Sequence, residues 1–351
     1  FVWIGSNNPI DLKNIGINAN NVKHTWIILL FIYSSIASLI PVWILLQPRD
    51  YINSHQLIVG LSLIFLSIFI VQPDIVAPVI SNIENGPPMI PFLFVTIACG
   101  AISGFHGLVS SGTTSKQINH MKDARLIGYG ATLGEGSLAL AATMAAIAGI
   151  SFINTQADFC LPWTCDFSHA KAGALGTFIG GSSGLLQQIG FSESLATTLI
   201  VVLVVSFAAT TLDSATRIQR YIITEFGSAT KIKFLENKYF ATLISIIPAY
   251  LIATNDEFRN DLWTTFGASN QMLAALTLMI LSIYFWKKKK NILPFAIPML
   301  LIMLITISAL IIKFQTSANN MILIINGTLI FLILWMIIEG IIHVKKNLSG
   351  K

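Results

Sequence analysis

The chain has 351 residues, of which 54% are hydrophobic and only 11% are charged, and its mean hydropathy is +0.74. A soluble domain carries about 25% charged residues, so this composition excludes a soluble protein and indicates an integral membrane protein. The net charge of +5 gives no sign of nucleic-acid binding, because in a membrane protein Lys and Arg set the orientation of the spans.

The sequence starts at Phe1, without an initiator Met. It also lacks a signal peptide with a charged start and a short apolar core. We therefore expect a fragment that is truncated at its N-terminus.

Apolar runs predict an all-α, polytopic membrane protein, with residues 1–351 as a single transmembrane domain. A helical span needs about 20 mostly apolar residues, and nine stretches qualify. A tenth stretch, residues 172–190, is rich in Gly and Ser and only weakly apolar, which favours a re-entrant or surface segment. The nine predicted spans are 26–46, 56–72, 90–109, 127–150, 195–212, 239–254, 262–286, 292–312 and 321–344.

Charged residues in the loops predict the orientation. Lys and Arg concentrate after the odd-numbered spans, whereas Asp and Glu concentrate after most of the even ones. The positively charged loops all fall on the same side of the membrane only if residues 172–190 do not cross it. The positive-inside rule then places the first residues outside and the C-terminus in the cytoplasm.

Two cysteines, Cys160 and Cys165, share one short loop that the same rule places outside. A disulfide between them fits an oxidising compartment, and two free thiols are the alternative. Their spacing matches no strong zinc or redox motif, so we expect no metal site and no cofactor.

Residues 100–116 combine four glycines with His106 and a series of Ser and Thr hydroxyls at predicted membrane depth. Each glycine lowers helix propensity by about 1 kcal/mol relative to Ala, so the span 90–109 is predicted to be broken. Transporters place substrate sites at such discontinuous helices, although a polar connector outside the membrane has a similar composition. The predicted substrate-binding residues of this stretch are Gly100, Ser103, Gly104, His106, Gly107 and Ser110.

Two ionisable residues join this prediction. Glu135 lies about 12 Å from the inner end of its helix at 1.5 Å per residue, where it forms either a proton or cation site or a capped carboxyl. His106 either titrates or donates a hydrogen bond to an anionic substrate, or it is a structurally satisfied histidine. A Ser–His nucleophile with Ser103 or Ser110 would lack a carboxylate partner, so we do not expect an enzyme.

Three hydroxyls on the fifth span, Ser206, Thr210 and Thr211, form a candidate cation site, although Ser and Thr also bond their own helix. The i, i+4 spacing of Asp213 and Arg217 predicts an ion pair at the helix end. Polar residues on the seventh span predict hydrogen bonds between helices. Structural roles are assigned to Arg49, Asp213, Arg217, Cys160 and Cys165, and interhelical hydrogen bonds to Asn270 and Gln271.

Five segments carry a joint signature: PVWILLQPRDY (41–51), FLFVTIACGAISGFHGLVSSGTTSKQI (92–118), DARLIGYGATLGEG (123–136), SFAATTLDSATR (206–217) and FGASNQMLAAL (266–276). Together they resemble the carbon starvation protein family of bacterial inner-membrane transporters. The resemblance implies ion-driven uptake of small peptides, or of pyruvate, during nutrient limitation, with H⁺ or Na⁺ as the coupling ion. A membrane sensor or regulatory subunit that binds a ligand without moving it is the alternative function.

Relatives of this family resemble the amino acid–polyamine–cation superfamily, which implies a LeuT-like fold of two inverted five-helix repeats. This chain would hold part of that fold, with 90–109 as the broken helix. The hydroxyl cluster would lie on the helix that carries cation ligands in sodium-coupled relatives. The resemblance further implies a glycine-rich N-terminal helix opposite the broken span, so the expected partners are the lipid bilayer, the substrate and missing N-terminal helices of the same protein.

Overall fold

The computed structural model describes residues 10–18, 21–81, 86, 88–153, 161–316 and 320–349. These residues form helices and connecting loops and contain no strand, which confirms the all-α prediction. The main helices are α1 (Val22–Leu39), α2 (Val42–Val71), α3 (Met89–Ala101), α4 (Gly104–Val109), α5 (Asp123–Ile147), α6 (Phe167–Gln188), α7 (Glu193–Thr230), α8 (Lys238–Thr254), α9 (Asp256–Lys287), α10 (Leu293–Thr316) and α11 (Asn320–Ser349).

Within the described part of the chain, seven helices are long and apolar enough to cross a membrane: α1, α2, α5, α7, α10 and most of α9 and α11. Each overlaps a predicted span, and α2 also includes residues 42–46 of the span 26–46. The predicted span 239–254 coincides with the shorter apolar helix α8, and 90–109 falls on α3 and α4. The count of nine spans and the single transmembrane domain stay predictions.

The end of the first helix differs from the prediction, because the expected span 26–46 runs across Pro41. A residue before proline is pushed out of the α region, and Ile40 is extended with φ −73° and ψ 144°. Helix α1 therefore ends at Leu39, and Pro41 precedes a second helix. The chain makes a sharp corner where a continuous helix was expected.

The molecule divides into two compact units, of which the first comprises Phe1–Gly86 and His120–Tyr250. Its long helix α7 packs against α1, α2 and α6. The core joins residues from four helices, since burying the apolar face of each helix against its neighbours removes it from solvent. The core residues are Ile64, Ala141, Leu186, Ala196 and Ile200.

Helix α6 contains residues 172–188 of the Gly- and Ser-rich stretch 172–190. Residues 181–186 are all buried, and Gly181 lies so close to Ala145 of α5 that a Cβ would overlap the Ala145 carbonyl oxygen. Small residues allow two backbones to approach closely. The stretch is thus a packed helix, and its re-entrant or surface position in the membrane stays a prediction.

The second unit comprises Pro87–Asn119 and Leu251–Lys351. Helix α9 packs against α3, α4, α10 and α11. Two apolar clusters along α9, centred on Ala268 and Ala275, hold α10 and α11 against it. This unit contains the predicted broken stretch and the helix that supports it.

Candidate functional site

The helical backbone is interrupted between α3 and α4. Helix α3 ends at Ala101, α4 begins at Gly104, and Ser103 between them is extended, with φ −89° and ψ 129°. Helix ends leave backbone N–H and C=O groups without partners inside the helix. The interruption therefore exposes polar backbone within a segment whose preceding helix is strongly apolar.

Asn270 of α9 binds the interruption and the first turn of α4. Its Nδ2 donates to Ser103 Oγ at 3.1 Å, and its Oδ1 accepts from the backbone N–H of Phe105 at 2.8 Å. Only 3% of Asn270 is exposed. The amide thus satisfies a backbone donor in the first turn of α4, which confirms the predicted interhelical hydrogen bonding for Asn270.

Its neighbour Gln271 behaves differently. Gln271 is 1% exposed, and neither its amide nitrogen nor its amide oxygen has a hydrogen-bond partner among the described residues. The prediction of an interhelical hydrogen bond is therefore wrong for Gln271 in this structure.

Gly104 and Gly107 bring α4 directly against α9. A Cβ on Gly104 would lie 2.5 Å from the backbone nitrogen of Ala274, and one on Gly107 would lie 2.6 Å from Thr277 Oγ1. Both glycines are therefore needed for close helix contact. Their predicted role in presenting backbone amides to a substrate stays a prediction, whereas Gly100 has open space around its Cα.

The other predicted substrate-binding residues occupy different surroundings. His106 is exposed, Ser103 Oγ bonds Asn270, and Ser110 Oγ donates to the carbonyl of Gly107 at 2.9 Å. Glu135 is exposed on α5, in the first unit. The structure thus places the loop residues beside α9 and Glu135 on a helix of the other unit.

Directly after α4 the chain makes one π-helical turn, Ser110–Thr114. Such turns are rare in proteins, and those that occur are often found at functional sites. Thr113 within it is buried, and its hydroxyl donates to the carbonyl of Val109 at 2.9 Å. The π turn could not be predicted from the sequence, because Gly and Thr residues are equally compatible with an ordinary unwound segment.

The predicted cation-binding hydroxyls all bond backbone carbonyls of their own helix α7. Thr210 and Thr211 both donate to Phe207, at 2.8 and 3.0 Å. Ser206 donates to Leu203 at 2.9 Å and also lies 3.1 Å from Gln56 Oε1. A donating hydroxyl keeps oxygen lone pairs for a cation, so a cation site here stays a prediction.

A cavity of about 390 Å³ lies between α2 and α7 in the first unit. Its walls are mainly apolar, and Tyr51, His55 and Gln56 provide its polar part. Because Gln56 contacts Ser206, the cavity adjoins the predicted hydroxyl cluster.

The ion pair predicted between Asp213 and Arg217 is wrong. Asp213 pairs with Arg49 of α2, while Arg217 donates to the carbonyls of Ala37 and Ile40 at 2.5 and 2.7 Å. Arg217 thereby satisfies the last carbonyls of α1, where a cation is also favoured by the helix dipole. The structural role assigned to these residues takes the form of contacts between helices.

Cys165 is buried and disulfide-bonded, whereas Cys160 lies outside the described residues. In the part of the chain that the structure describes, no group of three or more His, Cys, Asp or Glu side chains could hold a metal ion.

A family model described as "Carbon starvation protein CstA" matches residues 4–160 and 165–309. The chain belongs to the carbon starvation protein CstA family. Together with the seven apolar helices, this makes it a multi-pass membrane protein. No solved structure matches the chain.

Curated relatives carry transporter names. The chain is 30% identical over 344 residues to "Peptide transporter CstA" of Helicobacter pylori, covering 83% of this chain and 50% of that protein. It is 31% identical over 288 residues to the protein of the same name from Bacillus subtilis, covering 73% and 48%. It is 44% identical over 123 residues to "Pyruvate/proton symporter BtsT" of Escherichia coli, covering 32% and 17%. The chain spans about half the length of the CstA relatives it matches.

Proposed function

We propose that this CstA-family chain is part of an ion-coupled secondary active transporter for uptake of small peptides or pyruvate during carbon starvation. The names of its relatives, a peptide transporter and a pyruvate/proton symporter, support the two substrate classes. The observation that carries the proposal is the helix interruption at Ile102–Ser103, where a buried amide holds polar backbone within a unit of apolar helices.

The proposal includes a LeuT-like fold in which α3 and α4 form the broken helix of an inverted repeat. Discontinuous helices of this kind bind substrates near the membrane midplane in secondary transporters. We place the protein in the bacterial inner membrane, with the start of this chain outside and its C-terminus in the cytoplasm. Because the chain spans about half the length of its CstA relatives, further helices of the same protein would complete the site.

In this mechanism the substrate binds at the interruption and is exposed to each side of the membrane in turn. The open space around Gly100 and the exposed ring of His106 would meet an anionic group of the substrate. Glu135 would respond to protons or substrate, and Ser206, Thr210 and Thr211 would hold a coupling cation. The coupling ion is H⁺ or Na⁺.

Uptake by membrane vesicles that contain the whole protein tests the proposal. Labelled pyruvate and labelled alanyl-alanine are supplied, and proton and sodium gradients are imposed separately. We expect at least one substrate to accumulate under one gradient and to leak out when an ionophore removes that gradient. Binding without accumulation under either gradient would contradict the proposal and favour a sensor.

A further inference from the structure

Asp213 is completely buried in the first unit, at 0% exposure. Among the acidic residues whose side chains the structure describes, it is the only buried one. It lies on α7, one of the seven apolar helices. Burying an ionised carboxylate is costly unless it is paired, and such a group is a candidate for a functional site.

The two carboxylate oxygens of Asp213 differ in their surroundings. Oδ2 contacts Nη1 of Arg49 in an ion pair. Oδ1 has no hydrogen-bond partner within the described residues. One oxygen therefore holds the counter-charge, while the other is left with capacity to take a proton.

Arg49 has a second acidic partner. Its Nη2 lies 3.2 Å from Oδ1 of Asp50, whose side chain is 53% exposed, and its Nη1 donates to the Tyr33 hydroxyl at 3.2 Å. The guanidinium thus lies between a buried carboxylate and an exposed one. Nη1 of the guanidinium contacts the buried carboxylate and Nη2 contacts the exposed one.

The other arginines along this face of α7 are engaged elsewhere. Arg217 donates to the carbonyls that end α1, and the guanidinium of Arg220 lies 4.7 Å from the ring centre of Tyr221. Tyr33 on α1 and Asp50 on α2 contact Arg49 itself. Arg49 alone forms an ion pair with it among the described residues.

We propose that Asp213 is the proton-binding site of the transport cycle, with Arg49 as its exchangeable counter-ion. When Arg49 turns to Asp50, the buried carboxylate loses its counter-charge and takes a proton from solution onto Oδ1, because an isolated buried charge is too costly to keep. When Arg49 returns, the proton leaves to the opposite side. One proton is bound and released per cycle, and Arg49 is a positioning residue.

This inference rests on the proposed transporter function and is tested with Asp213→Asn in the whole protein, reconstituted in vesicles. Two quantities are measured with labelled pyruvate and labelled alanyl-alanine: accumulation driven by a pH gradient, and counterflow exchange without a gradient. Exchange does not require net proton movement, so a carboxylate that only carries the coupling proton is dispensable for it. The matched control is Glu225→Gln, which removes an exposed carboxylate from the same helix.

We expect Asp213→Asn to lower gradient-driven accumulation at least tenfold and to keep exchange within about twofold of the parent. Accumulation that persists in Asp213→Asn, or that falls equally in Glu225→Gln, overturns the proposal. Loss of exchange in a folded Asp213→Asn protein also overturns it, since the pair would then serve structure alone.

The double variant Arg49→Gln with Asp213→Asn covers the case in which the single variant does not fold. Removing both partners of a buried ion pair is far better tolerated than removing one. We expect exchange without proton-driven accumulation, and proton-driven accumulation in this variant overturns the proposal. A parent that accumulates substrate only under a sodium gradient refutes the proton site alone, whereas a parent with no accumulation refutes the transporter itself.

Discussion

Asn270 is the residue on which the interruption between α3 and α4 depends. One carboxamide supplies a donor to Ser103 and an acceptor to the N–H of Phe105. An asparagine can make these bonds together because its side chain carries both a carbonyl oxygen and an amino group. Without it, the first turn of α4 would keep a backbone donor without a protein partner.

Replacing Asn270 by Ala should weaken transport and stability together. A buried donor that loses its acceptor costs about 1–3 kcal/mol, so we expect uptake by Asn270→Ala to fall about tenfold or more. The measurement is initial uptake of labelled substrate, normalised to the amount of protein in the membrane.

Ser269→Ala is the matched control, because among the described residues the hydroxyl of Ser269 bonds the carbonyl of Phe266 alone, in its own helix and at 2.9 Å. We expect its uptake to stay within about twofold of the parent. Equal losses in both variants would show that α9 tolerates no change here, and would remove the special role of Asn270.

The residue types predicted which positions carry functional or structural polar groups, but not which residue each of these groups contacts. The i, i+4 spacing of Asp213 and Arg217 favoured a local pair, and the structure gives each a partner on another helix. Likewise, Ser103 and Asn270 are 167 residues apart, and neither periodicity nor spacing specifies such a contact. Local rules describe neighbours within one helix, whereas these contacts depend on how the helices pack.

At the scale of helices, hydropathy was sufficient to predict the position of a helix wherever that helix is apolar along most of its length. It was less informative for α6, where glycines dilute the apolar signal. Glycine at a helix contact is required by the short distance between the backbones rather than by helix propensity. Gly149, in the 3₁₀ turn after α5, is an example, because a Cβ added there would lie 2.5 Å from the carbonyl oxygen of Gly181 in α6.

Gly181→Ala should separate α6 from the end of α5. The added Cβ would overlap the carbonyl oxygen of Ala145, and backbone cannot move aside as a flexible side chain does. Overpacking costs about 1–3 kcal/mol, so we expect a clear drop in the thermal unfolding midpoint of the purified protein in detergent.

The same helix offers a control at Gly176, where a Cβ meets nothing within 4 Å. Gly176→Ala should leave the midpoint unchanged or raise it, because Ala favours a helix by about 1 kcal/mol over Gly. If both alanine variants lower the midpoint alike, the close approach at Gly181 is not what stabilises α6.

The surface of the whole molecule is that of a protein surrounded by lipid. Large apolar side chains point outward in both units, including Phe69 at 73%, Leu304 at 65% and Ile324 at 69% exposure. A soluble monomer rarely exposes large contiguous apolar patches. The direction in which the chain crosses the bilayer is predicted from its charged loops, and cysteine labelling tests it directly.

Single cysteines introduced at Asp74 and Lys122, two exposed positions, should report that direction. With Cys99 replaced by Ala, a membrane-impermeant maleimide should label Asp74→Cys in intact cells, and Lys122→Cys only after permeabilisation. The reason is the positive-inside bias of the loops. The Cys99→Ala parent gives the background labelling, and the reverse pattern would invert the proposed topology.

The hydrogen bonds of Arg217 form late in the synthesis of the protein. Arg217 donates to carbonyls that lie 180 and 177 residues earlier in the chain. At about 5–20 residues per second, these carbonyls wait roughly 10–40 seconds for their partner while the intervening helices are made. Bare carbonyls are not stable in the hydrocarbon core, so the end of α1 should remain in the polar headgroup layer until α7 emerges.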